Sequence, residues 1–192
     1  MTNKDRFDNI YHDIHRSGAD ELYNYLLRSD FFTAPASTRF HGNYAGGLLE
    51  HSLNVYDCLV NILPVVCPNS HYSDETISIV SLLHDLCKTN FYKPGTRNVK
   101  NPETGKWETK EVYEIDEMWP LGDHSDKSLV LIQNFMHLST DEIYAIRAHM
   151  GFSDATFKGG SQMVGRIFEK CPLALALHMA DMMATYTLEE KR

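Results

Sequence analysis

Residues 77–88 read ISIVSLLHDLCK. Ile77, Ile79, Val80, Leu82 and Leu83 describe a buried helix, Asp74 offers it an N-cap, and the helix delivers His84 and Asp85 side by side. Lys88 follows one turn beyond His84, on the same face. An imidazole next to a carboxylate, with no charge partner beside them in sequence, has two readings: the polar end of an apolar helix, or a pair of metal ligands. Further N and O donors at helical positions elsewhere in the chain would decide between them.

Upstream, residues 45–66, AGGLLEHSLNVYDCLVNILPVV, carry a broad apolar stripe that Pro64 should end. His51 lies one turn into that helix, where a ligand would be held rigidly; a satisfied core histidine is the ordinary alternative. Gly46-Gly47 permits either a tight helix start against a neighbouring segment or a close approach of ligand to backbone. The preceding segment 31–44 suits an ordered loop. Arg39 and His41 within it are candidate phosphate contacts, or a solvated loop pair. Two short helices at 5–16 and 19–29, separated by Gly18, are expected to pack on the core.

Downstream the texture changes. Residues 97–115 contain an Asn-Pro-Glu-Thr-Gly turn followed by Val112, Tyr113 and Ile115, which predicts a β-hairpin, the sole strand signal in the chain. Lys88, Lys93, Arg97, Lys100, Lys106 and Lys110 make a basic stretch that is either a solvated hairpin face or the entrance for an anionic substrate. Pro120 and Gly122 then introduce a helix with His124 near its start. A second helix is N-capped by Thr140 and ends at His149. The last, PLALALHMADMMATYTL, is apolar nearly all round yet carries Asp181, with His178 one turn earlier. A carboxylate in so apolar a helix needs a partner, and a cation is an economical one.

With 192 residues and 43% apolar composition, the chain is expected to be one domain of residues 1–192, in which 1–37 pack as N-terminal helices on the core. The expected fold class is all-α, a helical bundle with one β-hairpin insertion at about 97–115. A net charge of -8 argues against a protein that coats duplex nucleic acid, while a small anionic substrate needs a local cationic site. Cys58, Cys67, Cys87 and Cys171 show no CxxC spacing, so reduced, buried thiols are expected. No apolar run reaches the ~18 residues of a membrane span, and a cytoplasmic location is expected.

The order His51, His84-Asp85, His124, His149, Asp181 resembles the HD-domain superfamily of metal-dependent phosphohydrolases. Locally, HGNYAGGLLEHSLNV, LLHDLCK, PLGDHSDKS, RAHMG and LHMAD are similar to small single-domain HD hydrolases and to the HD domain of bacterial 3′-to-5′ exoribonucleases. The resemblance covers about residues 38–186. It implies that His51, His84, Asp85 and Asp181 are the primary metal ligands, with Asp85 able to bridge to a second ion that His124 and His149 would help to hold. Met150 after His149 departs from the paired histidines of the fullest two-metal pattern. The resemblance makes Lys88 a phosphate contact.

The cofactor this implies is one or two divalent ions, Mn, Fe, Zn, Co, Ni or Mg, in a mixed N/O site. The expected function is hydrolysis of a phosphoester in a nucleotide, a cyclic nucleotide or a nucleic-acid 3′ end. Asp85 and Lys88 are the candidate catalytic residues, and Lys88, Arg39, His41, Lys93 and Arg97 the candidate substrate contacts. The expected partner is a small phosphorylated anion or a short single-stranded nucleic acid. A di-iron HD-fold oxygenase and a nucleotide-binding sensor without turnover are the alternatives.

Overall fold

The computed structural model of the protein describes residues 1–116, 119, 121–153 and 158–189. Among them are eight α-helices and one two-stranded antiparallel ribbon, so the expected helical architecture with a hairpin insertion is what the chain adopts. Pro120 of the expected helix-start signal lies outside the described residues.

Helices α1 (Asn3–Tyr11) and α2 (Ala19–Arg28) are shorter than expected and are joined through Gly18. Gly18 has φ +90°, and the carbonyl oxygen of Phe135 occupies the space a Cβ would need. Phe7, Tyr11, Leu22, Leu26 and Phe31 are buried, which seats the N-terminal helices on the core. Arg16, between them, holds buried Glu142 with Nη2 3.0 Å from Oε1.

The central helix α3 (Gly47–Val66) packs along α8 (Pro172–Met183), α4 (Asp74–Leu83) and α1, while α6 (Thr140–Ala148) also packs on α8. Leu48, Leu53, Leu59, Ile79, Leu82, Leu83 and Leu177 fill the space between them, each worth roughly 1.5–3 kcal/mol when withdrawn from water. Helix α3 runs past Pro64, which stands in its last turn. The start of α3 settles the glycine pair: Gly42 O fills the place a Gly47 Cβ would take, so the pair serves a tight helix start against the preceding loop. The N-caps of α4 and α6 are Ser73 and Ser139, one residue before the expected Asp74 and Thr140. Each serine hydroxyl accepts a backbone amide of the first turn, the more economical cap for a helix whose next residues are already acidic.

The hairpin begins earlier than the expected residue 97: β1 is Tyr92–Lys100 and β2 is Trp107–Ile115, with Tyr92 opposite Ile115 and Lys100 opposite Trp107. Pro94-Gly95 obscured its first half, because such a pair breaks a central strand but is tolerated where each strand is an edge. The expected turn is present. Asn101 Oδ1 accepts the amides of Glu103 and Thr104, and Gly105 takes φ +67°.

Helix α5 (His124–Gln133) is capped by Asp123 and packs on a 3₁₀ turn at Leu86–Lys88. Helix α7 (Met163–Lys170) has no counterpart among the expected elements. After α8 the chain continues into a π-helical turn, Ala184–Leu188. No helix among the described residues is long and apolar enough to cross a membrane. All four cysteines are free and buried.

Candidate metal centre

Three helix ends and one helix interior converge. His84 caps the C-terminus of α4 and Asp85 follows it with φ −105° and ψ 22°, between helix and 3₁₀ turn. His149 caps the C-terminus of α6, and Asp181 stands in the last turns of α8. His51, one turn into α3, faces all of them. His51 Nε2 lies 3.2 Å from His84 Nε2, 3.4 Å from Asp85 Oδ2 and 3.3 Å from Asp181 Oδ1. His84 Nε2 is 3.5 Å from Asp85 Oδ2, and His149 Nε2 is 3.6 Å from Asp85 Oδ1.

These separations fit shared coordination. Metal–ligand bonds of roughly 2.0–2.2 Å place two donors of one ion about 3.0–3.5 Å apart at octahedral to tetrahedral angles. The tautomers fit as well. His84 Nδ1–H donates to Ser81 O at 2.8 Å and His149 Nδ1–H to Ile146 O at 2.7 Å; a carbonyl can only accept, so each Nε2 is left as a lone pair pointing inward. His51 Nδ1 lies 2.9 Å from Glu189 Oε1, so its Nε2 is likewise the ring nitrogen turned inward, open to a metal once its proton is displaced. Two Nε2 atoms at 3.2 Å cannot hydrogen-bond unless a proton or a cation stands between them. Asp85 Oδ1 and His149 Nε2 are buried with no hydrogen-bond partner among the described residues, an expensive condition that a shared ion relieves.

The charges point the same way. Asp85, Asp181 and Glu189 surround the imidazoles and Lys88 is the cation among them, so neutral histidines leave two negative charges, the charge of one divalent ion. Burial opposes charge on His51, yet hydrogen bonds to Asp85 and Glu189 push its pKa up to about 10. Burial likewise opposes charge on His149, and Asp85 overcomes it in the same direction. Burial disfavours the Asp85 carboxylate, but Lys88 and His84 hold it well below the usual range; Asp181 is lowered against burial by His51, His84 and His149. A field that holds protons on buried imidazoles is one that holds cations. The residues present therefore fit a metal ion, in overlapping sets of His51, His84 and Asp181, of His84, Asp85 and His149, and of His41, His51 and Glu189.

A pocket of about 320 Å³ opens onto the centre, lined by Asp85, Lys88, His124, His149 and Asp181, with Phe91, Tyr92 and Tyr186 among its walls. Lys88 is buried in its floor with Nζ 2.6 Å from Asp85 Oδ2. Burial alone lowers a lysine, but the Asp85 charge raises Lys88, so it stays cationic. Of the histidines assigned to the centre, His124 stands apart: its Nδ1 is 3.6 Å from Cys87 Sγ, and it lines the pocket rather than any ligand set. Burial lowers its pKa, which keeps it neutral.

Of the expected substrate contacts, His41 reaches the pocket, its ring 5.0 Å from that of His51 and its pKa pushed down by burial to about 4. The structure does not bring Arg39, Lys93 or Arg97 to the pocket. All three are exposed, and Lys93 pairs with Asp116 at 3.2 Å on the hairpin. His178, one turn before Asp181, donates its Nδ1–H to His149 O at 2.7 Å and so braces the end of α6. Glu189 was not foreseen, because it stands in a polar tail with no periodicity to mark it. Compared with family models, with curated proteins and with solved structures, the chain gives no match.

Proposed function

We propose that this protein is a divalent-metal-dependent phosphohydrolase of the HD-domain type, acting on a small nucleotide. The observation that carries this reading is the convergence of three inward Nε2 atoms with Asp85 and Asp181 beside a buried cationic lysine at the floor of one pocket. The order and roles implied by the HD resemblance agree with it at His51, His84, Asp85, His149 and Asp181.

A divalent ion in this centre lowers the pKa of a coordinated water and polarises a phosphoryl oxygen. The chain's own residues supply the rest. His51, His84, Asp85 and Asp181 would hold the ion, with His149 placed to share Asp85. Lys88 keeps a positive charge beside Asp85, where it offsets charge on the equatorial oxygens of a phosphoryl group. Asp85 Oδ1, with no hydrogen-bond partner among the described residues, can take up a proton from an attacking water when the ion does not engage it. Neutral His41 and His124 line the pocket as hydrogen-bonding groups for substrate or leaving group.

The pocket volume lies at the low end of the ~300–1,000 Å³ usual for ligand sites, and Lys88 is the sole Lys or Arg among its described lining residues. With a net charge of -8, that favours a mononucleotide or cyclic nucleotide over a polymer. Free buried thiols suit a reducing cytoplasm.

The test is elemental analysis of the purified protein coupled to a screen of nucleotides, cyclic dinucleotides and short oligonucleotides with Mn²⁺. Bound metal and phosphoester cleavage abolished by a chelator are the expected result. A metal-free, inert protein overturns the reading, as does an iron-loaded protein that consumes oxygen and leaves every phosphoester intact.

A further inference from the structure

The three inward-facing imidazoles all place Nδ1–H on an acceptor, but the acceptors differ in kind. His84 and His149 close α4 and α6, where the carbonyls three residues back, Ser81 O and Ile146 O, have no helical amide left to accept. His51 lies one turn into α3, where the carbonyls are already engaged by the helix; Leu48 O takes the Ser52 hydroxyl as well. An acceptor for His51 must therefore come from another segment.

It comes from the far end of the described chain. Glu189 follows the π-helical turn Ala184–Leu188, whose wide closure is completed by Glu189 N–H donating to Ala184 O at 3.1 Å. Its Oε1 stands 2.9 Å from His51 Nδ1 and also accepts from Asn54 Nδ2 at 3.3 Å. The Glu189 side chain is 1% exposed, and its second oxygen has no partner among the described residues. A carboxylate kept in that position is expensive unless it serves its neighbour.

We propose that Glu189 is the positioning residue for His51, fixing the tautomer and ring orientation in which Nε2 serves as a metal ligand. The proposal rests on reading the centre as a metal site. A carboxylate behind an imidazole makes it a more basic ligand than a carbonyl does, so His51 is the strong histidine of the set. The π-helical turn that carries Glu189 also supplies Thr185 and Tyr186 to the pocket wall. Holding the ion and ordering that wall are consequently linked, each favouring the other.

The experiment titrates Zn²⁺ and Mn²⁺ into wild type, Glu189→Gln and Glu189→Leu by calorimetry, and reads the His51 tautomer by ¹⁵N–¹H correlation spectra of ¹⁵N-histidine protein. Glu189→Leu is expected to lose about 10- to 100-fold in metal affinity and to release His51 from the Nδ1–H tautomer. Glu189→Gln, which keeps an accepting oxygen, is expected to recover most of the loss. A residue that only ties down the end of the chain would change melting temperature and leave both readouts in place; wild-type affinity and tautomer in Glu189→Leu overturn the proposal. If that variant does not fold, Glu189→Asp carries the test, since it keeps the charge but withdraws the oxygen by one methylene, and wild-type affinity there is equally fatal. A wild type that takes up no metal overturns the functional reading and this proposal together, whereas binding unaltered in the variants overturns this proposal alone.

Discussion

The candidate metal centre and the β1–β2 hairpin meet within a few residues of chain, Lys88 at the floor of the pocket and Tyr92 at the first strand, yet they handle charge in opposite ways. In the centre Asp85 and Lys88 are nearly inaccessible and 2.6 Å apart, so neither can change without consequence for the other. On the hairpin Lys93 and Asp116 make an ion pair of which about half of each side chain is in water, where such pairs contribute little. Identical residue types are thus buried and tightly coupled in one region and solvated in the other, and the difference is set by what the helices exclude from water rather than by charge itself.

The sharpest way to break this comparison is Asp85→Asn. It should abolish metal uptake and turnover and, by leaving Lys88 as an uncompensated buried cation, destabilise the fold by about 3–5 kcal/mol. The double variant Asp85→Asn with Lys88→Met should regain much of that stability in urea melts while still binding no metal. Full metal content in the single variant would remove Asp85 from the ligand set. Lys88→Met alone is the next largest: turnover should fall about 10²-fold while most of the metal content is retained, since the role proposed for Lys88 is toward substrate and all the proposed ligands remain. Equal loss of metal and turnover would contradict the role assigned to Lys88.

Why the centre was legible and its surroundings were not follows from the same contrast. Asp181 stands out because a carboxylate interrupts an apolar helix, and His84-Asp85 because the pair ends one; burial leaves a pattern that can be read without coordinates. His51, His149 and Asp181 then had only to be brought together by helices whose apolar faces were already evident. Glu189 is just as buried but sits in a run of charged residues, and its position depends on a π-helical turn that has no period in sequence. Lys93 and Arg97 stand out by charge and Arg39 by its place beside His41 before a glycine pair, and where an exposed loop or ribbon points is not encoded by hydrophobic periodicity. Helix α7, with Val164 and Ile167 buried, escaped notice although its apolar spacing is helical; it is short and follows a glycine pair. The first half of the hairpin was hidden by Pro94-Gly95.

The pH dependence sharpens the comparison further. With its pKa raised from 6.5 to about 10, His51 in the metal-free protein contributes stability that is complete below its unfolded pKa and is lost as pH rises toward 10. Metal uptake must expel that proton, so apparent affinity should rise by about tenfold per pH unit between pH 7 and 9. Titrations in buffers of different ionisation enthalpy check this directly, because each ion bound should release a proton. An affinity independent of pH would mean that His51 is already neutral, and that the carboxylates around it do not act as described.

The smallest expected effect tests the hairpin side. Arg97 and Lys110 face each other across the strands, a like-charge pair that disfavours the ribbon slightly. Arg97→Glu should make the pair attractive and shift the melting temperature by no more than about 2 °C, as surface substitutions do. Because neither residue lines the pocket, turnover of a small nucleotide should stay within about twofold of wild type. An oligonucleotide long enough to leave the pocket would meet the hairpin, so its cleavage is the more searching assay. A tenfold loss confined to oligonucleotides would show that the exposed charge, inert toward small substrates, guides longer ones, and the boundary between the two regions would then be drawn by substrate length and no longer by burial alone.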